Sequence, residues 1–116
     1  MRNFLQLEIW KRSHQLTLNI YNTTKTFPKE EMFGLSSQMR RSASSIPTNI
    51  AEGCGRNTNP QFINFLQIST GSCSELQYQL FLTKDLAYIS EETFVELDAE
   101  VNEIRKMIFA YLSKLK

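Results

Sequence analysis

Histidine and tryptophan each occur once in these 116 residues, and cysteine occurs twice. That poverty removes much of the chemistry a small protein can carry. A di-iron carboxylate centre in a helical bundle needs inward glutamates and a Glu-x-x-His pair on each of two helices. The single histidine is His14, and Lys11 stands where the glutamate would have to be. Cys54 and Cys73 form no CxxC motif and have no neighbouring histidine, so they read as small core thiols rather than as zinc ligands or nucleophiles. Gly53-Cys54-Gly55-Arg56 ends a helical pattern, whereas a phosphate loop opens one. No nucleophile and base are placed together by spacing. The expectation is a protein that is not an enzyme and uses no metal, cofactor or small-molecule substrate.

Long apolar runs are missing too. None approaches the roughly 18 residues that suggest a membrane span. The first ten residues carry no apolar leader core, because Gln6 and Glu8 interrupt it, so a soluble protein in a reducing cytoplasm is expected, with both thiols free. Four glycines and three prolines lie in or beside short breaks, and no Ser/Gly/Pro-rich linker divides the chain. Residues 1–116 therefore read as one domain, and 41% hydrophobic content is enough for one core.

Charge of one sign is also lacking, since the formal net charge is only +1. The distribution is uneven. Up to Asn59 the basic residues Arg2, Lys11, Arg12, Lys25, Lys29, Arg40, Arg41 and Arg56 outnumber the acids, while every charge from Glu91 to Glu103 is negative. One part of the molecule can be locally basic and another acidic.

What the sequence does have is helical periodicity. Ile9, Ser13, Leu16, Ile20 and Phe27 mark a first helix over about residues 5–26, ended by Pro28, and Leu7, His14, Leu18 and Tyr21 widen its apolar surface. A second helix starts near Lys29–Glu31, where acids suit the positive end of the dipole, and runs through Leu35, Met39, Ala43, Ile46 and Ile50 until Gly53 and Gly55 stop it. Pro47 lies inside it and is expected to kink it, with Ser42, Ser44 and Ser45 placed to satisfy freed carbonyls. Asn59 caps a third helix with Pro60 following, and its apolar residues from Phe62 to Ile89 spread around more than one side, so that it needs more than one covering surface. Gly71 among serines marks a place where another backbone can approach. Ser90 caps a fourth helix whose Phe94, Leu97, Val101, Ile104, Ile108, Tyr111 and Leu115 alternate steps of three and four. The reading is an all-α, antiparallel up-down four-helix bundle about 30 Å long that assembles through a second apolar surface.

One polar stripe stands out on the second helix: Arg41, Ser45, Thr48 or Asn49, Glu52 and Arg56. Asn49 and Glu52, with Glu75 across on the third helix, are expected to form a structural polar network that pairs with Arg41 or Arg56 and fixes register. Arg40, Lys11 and Arg12 are left to face a partner.

The run from Gln38 to Gly53, QMRRSASSIPTNIAEG, resembles the four-helix-bundle family associated with intervening sequences of bacterial 23S rRNA genes. Arg56, Gly71-Ser72-Cys73-Ser74-Glu75-Leu76, Ile9-Trp10, Phe27-Pro28 and Phe33-Gly34-Leu35 extend the likeness over nearly the whole chain. The resemblance implies a bacterial bundle that forms a homopentameric ring, related to the accessory protein of diversity-generating retroelements, which presents basic residues to nucleic acid. By that analogy a nucleic-acid surface would fall on Arg40, Arg41 and Arg56, joined from the charge reading by Lys11 and Arg12. Two functions stay open at this level: an oligomer that binds structured RNA or a nucleoprotein through a basic ring, and a scaffold that contacts only protein.

Overall fold

The computed structural model describes residues 2–116. A 3-10 turn, Phe4–Gln6, leads into α1 (Glu8–Thr24), and a second, Lys29–Glu31, precedes α2 (Leu35–Cys54); α3 (Asn59–Asp85) and α4 (Glu91–Leu115) follow. Each helix packs on its neighbours in the chain, and α4 closes against α1, which makes an up-down-up-down four-helix bundle with no strand among the described residues. The length is 43 Å rather than the expected 30 Å, because α3 has 27 residues and α4 has 25.

One buried cluster fills the centre: Ile9, Leu16 and Ile20 from α1, Met39, Ala43, Ile46 and Ile50 from α2, Phe62, Leu66, Leu76 and Leu80 from α3, and Phe94, Leu97, Val101, Ile104 and Ile108 from α4. The apolar seam read in α4 is therefore its core face. At its C-terminal end the seam turns, so that Leu112 is buried while Tyr111 and Leu115 lie half-covered at the rim. Cys54 and Cys73 are free and buried in this cluster.

The start of α2 differs from the sequence expectation. The chain makes one 3-10 turn after Pro28, breaks, and resumes as helix only at Leu35. Glu31 controls that break. Its Oε1 accepts the Leu35 N–H at 3.1 Å, and its Oε2 accepts the Tyr88 hydroxyl at 2.9 Å, which ties the α1–α2 connection to the α3–α4 turn. A Cβ at Gly34 would stand 2.7 Å from Glu31 Oε1, so a larger residue there would displace the carboxylate that caps Leu35. At the other end Gly53 stays within the helix, which ends at Cys54 with Gly55 as its cap.

Pro47 sits in the middle of α2, and the carbonyl it leaves without an intrahelical donor is that of Ala43. None of the three serines supplies a replacement. Ser42 donates to Gln38 O, Ser44 to Arg41 O, and Ser45 shares a hydrogen bond with Ser72. The donor is Thr17 on α1, whose buried hydroxyl is 3.1 Å from Ala43 O and 2.8 Å from its own Ser13 O. From the opposite side Ser69 on α3 donates to Ile46 O at 3.0 Å.

The close approach of backbones is at Gly53, where a Cβ would lie 2.9 Å from Phe62 Cδ1 and from Phe65 Cβ. Gly71 is exposed and has nothing within 4 Å. The cap of α3 also moves by one residue: Thr58 accepts the Gln61 N–H, so Asn59 is already helical. Ser90 caps α4 as read, accepting the Thr93 N–H at 3.0 Å.

Two outcomes follow for stability. Thr17→Val strips a buried carbonyl of its donor and should lower the unfolding free energy by about 1–3 kcal/mol, whereas in a Pro47→Ala background the restored N–H should make the same change much milder; urea unfolding of the four proteins measures the coupling. Gly53→Ala and Gly71→Ala should carry opposite signs: the first destabilises by about 1–3 kcal/mol through overpacking, and the second stabilises by up to about 1 kcal/mol through helix propensity.

Candidate functional site

The polar stripe of α2 borders an open depression of about 580 Å³ between α2 and α3, lined by Gln38, Arg41, Ser42, Ser44, Ser45, Thr48 and Glu75. Helical spacing puts residues 38, 41, 45 and 48 on one side of α2, and Glu75 faces them from α3. The titratable side chains there are Arg41 and Glu75, and the two form no ion pair within 4 Å. The serine hydroxyls are occupied: Ser45 and Ser72 lie 2.8 Å apart, and Asn49 donates to Ser45 O at 2.8 Å and to Ser45 Oγ at 3.0 Å. Among the described residues no histidine, cysteine or carboxylate makes a hydrogen bond to these serine hydroxyls. Among the described residues no three His, Cys, Asp or Glu side chains come together as a metal site.

Asn49, Glu52 and Glu75 are not joined by the structure. Asn49 serves Ser45, Glu52 pairs with Arg56 one turn later at 3.6 Å in an exposed contact, and Glu75 faces solvent. An exposed i,i+4 pair of that kind contributes only about 0.3–0.5 kcal/mol. The network that spans helices lies instead between α3 and α4. Gln77 donates to Asp98 Oδ1 at 2.8 Å and to Asn102 Oδ1 at 3.2 Å, while Arg105 donates to Asn102 Oδ1 at 2.8 Å and to Gln77 Oε1 at 2.7 Å. Asp98, Asn102 and Arg105 recur at helical spacing beside the apolar seam of α4, but their pairing with Gln77 on α3 has no signal in the sequence.

Of the cations expected to face a partner, most are engaged within the chain. Arg40 donates from Nε to the buried Thr24 hydroxyl at 2.8 Å and from a terminal nitrogen to Tyr21 O at 3.3 Å, with its guanidinium 4.8 Å from the Tyr21 ring centre. Arg12 makes a two-pronged contact with Glu100 at 3.2 and 3.3 Å, which holds the guanidinium pKa above its usual value and closes α1 on α4. Lys11 reaches Glu8 at 3.4 Å in an exposed pair, and Arg56 lies over the Phe65 ring as well as beside Glu52. Arg41 is exposed and has no ion pair among the described residues. Burial pushes the Cys73 thiol up to about 11 and raises that of Cys54, so both are protonated and shielded at neutral pH.

The surface also carries apolar side chains, some on the wide apolar faces expected of α1 and α3 and one, Phe33, that the sequence reading did not mark as exposed. Phe33 is 92% exposed at the α1–α2 connection, with Met32 beside it, although the loop around it is pinned by Glu31. Ile68 and Tyr78 lie uncovered on the outer side of α3, and Leu18 and Tyr21 on that of α1. Phe4, Trp10 and His14 form an aromatic stack on the flank of α1, the last two with ring planes only 7° apart at 4.9 Å. In the sequence Phe33 reads as one more apolar residue, and nothing in its spacing says that it points outward.

Comparison with known proteins fits this bundle. The family model described as 23S rRNA-intervening sequence protein matches residues 5–110, a span that contains all four helical segments up to the last turn of α4. The chain belongs to that family. Among solved structures, a protein of unknown function from the S23 ribosomal protein family of Bacteroides thetaiotaomicron is similar, with a TM-score of 0.81 and 26% identity over 90% of this chain and 97% of that one. No curated protein matches the sequence. The family carries no enzymatic assignment, and no described helix is long and apolar enough to cross a membrane.

The two adjacent arginines should respond differently to truncation. Arg40→Ala removes charged hydrogen bonds to a buried hydroxyl and a helix carbonyl, and should lower stability by about 1–3 kcal/mol. Arg41→Ala should stay within about 0.5 kcal/mol of the parent. Thermal or urea unfolding of the pair checks both.

Proposed function

We propose that this member of the 23S rRNA-intervening sequence protein family is a non-catalytic assembly module, a helical bundle that packs on copies of itself and acts as a scaffold for protein contacts. The observation that carries this reading is the apolar surface left uncovered by a single chain. Met32 beside Phe33, Leu18 one turn from Tyr21 and Tyr78 one turn from Phe81 are exposed on a protein whose core is otherwise closed, and exposed apolar side chains that adjoin one another, unlike singly scattered ones, support an interaction surface. The wide apolar circumference of α3 supports the same conclusion, since α2 and α4 cover only part of it.

A second reading has its own observation. Arg41 is exposed and without an ion pair beside the open depression, and cyclic symmetry would repeat it around a ring as a band of positive charge. The family description, with its reference to 23S rRNA, makes structured RNA or a nucleoprotein the natural ligand for such a band. The scaffold is favoured because Arg40 and Arg12 serve internal contacts and Lys11 and Arg56 stand next to carboxylates, which leaves little charge for phosphates. The ring itself is part of the proposal, with a homopentamer as the expected closed form.

Light scattering after gel filtration should report several times the 13.5 kDa chain mass at micromolar concentration, and a clean monomer would overturn the assembly. Binding to a structured RNA at about 0.15 M salt should be weak. Tight binding under that condition, lost in Arg41→Glu with the oligomer intact and falling steeply as salt rises, would replace the scaffold with the RNA reading.

A further inference from the structure

Among the described residues Phe33 is the most exposed large apolar side chain, yet it does not sit on a slack loop. Glu31 holds the loop from both sides through Leu35 N and the Tyr88 hydroxyl, the Gly34 N–H returns to Glu31 O at 3.0 Å, and the Met32 N–H returns to Lys29 O at 3.0 Å. A phenyl ring held outward by a fixed backbone has already given up much of the freedom it would lose on binding. Met32, also exposed, stands next to it.

The same chain carries a matching recess. Between the first turns and the middle of α2 runs an apolar groove of about 380 Å³, lined by Phe4, Trp10, His14, Pro47, Thr48 and Ala51 among others. Through Phe4 and Ala51 it continues into a second apolar hollow of about 440 Å³ that reaches Arg2 and Gly55. No carboxylate lines either part. Arg2 flanks one end, and Arg41 flanks the other, across the Ser44 and Thr48 that the groove shares with the α2–α3 depression. The Phe33 loop has the opposite balance, with Lys29 set against Glu30 and Glu31. Glu30 is exposed and without an ion pair among the described residues, as Arg41 is.

We infer that Met32 and Phe33 of one copy insert into the Phe4/Trp10/Pro47/Ala51 groove of a second copy, with Glu30 approaching Arg41. This rests on the assembly reading above and names its contact. The knob cannot fill its own groove. Thr48 lies 13 residues into α2, roughly 20 Å along the axis from the loop at about 1.5 Å per residue. Knob and groove are different patches of one surface, so the contact is heterologous. Such a contact closes into a ring when the rotation between copies permits, and it places an aromatic anchor in a pocket at the centre of the interface.

The test uses the full chain and exposed positions only. Phe33→Ser removes the knob, and Thr48→Glu sets a carboxylate at the groove mouth; each alone should run as a monomer by light scattering, with helical circular dichroism unchanged. Mixed in equal amounts, they should recombine into a species of two chains and no larger, since the mixture offers one intact knob and one intact groove per pair. Glu30→Arg and Arg41→Glu should each weaken assembly, and the double exchange should restore it. If wild type is an oligomer while Phe33→Ser keeps its mass, or if the mixture stays monomeric, this contact is wrong and the assembly reading stands on another surface. If wild type is itself monomeric, the assembly reading fails and this inference with it.

Discussion

The middle of α2 depends on hydroxyl groups that belong to other helices. Pro47 removes the donor that would have served Ala43 O, and the buried carbonyl needs a partner because an unmatched one costs more than a typical hydrogen bond returns. Thr17 reaches it from α1, and Ser69 reaches the nearby Ile46 O from α3. α2 is thereby fixed between its two neighbours at one level. The Ser45–Ser72 contact lies at that same level, and the tight seat of Gly53 against Phe62 and Phe65 extends the alignment toward the C-terminal end. The motif that carries the family likeness is thus first a packing device: its serines, proline and glycine let three helices come together at close range.

That device also explains the surface beside it. Small side chains facing α1 and α3 leave the outer side of α2 shallow and hydroxyl-lined, with Arg41 and Glu75 on the two edges of an open depression. The arginine next in the chain points the other way. Arg40 crosses to Thr24 and Tyr21 and anchors the end of α1, so two adjacent identical residues divide into an internal clamp and an exposed charge. A helix separates consecutive side chains by about 100°, which is enough for that division.

How much of this was legible in the sequence depended on distance along the chain. The fold class, the buried seam of α4, the Ser90 cap and the proline inside α2 rest on spacings of three and four residues, and those spacings carry them. The α1–α2 break and the Thr58 cap were each displaced, because Glu31 and Thr58 act through side-chain hydrogen bonds that several residue types could make. Contacts between helices were illegible. Arg40 with Thr24, Arg12 with Glu100 and Thr17 with Ala43 join positions 16, 88 and 26 residues apart, and periodicity alone says nothing of which helix lies beside which. The glycine of closest approach was misplaced for the same reason, since Gly71 and Gly53 differ only in what the neighbouring helix brings to them.

The order of packing around the bundle has a kinetic side. Three of the four helix–helix seams join elements adjacent in the chain, and the connections between those elements are short. Forming them closes small loops, which carries little entropic penalty and favours rapid folding. The seam between α1 and α4 is different: it is the least extensive, it spans nearly the whole chain, and Arg12 with Glu100 is its principal polar tie. Once α1, α2 and α3 are packed, the short α3–α4 connection already holds α4 beside its place against α1, so this seam adds little further closure cost; as the least extensive seam it is also the natural place for the folded bundle to open first.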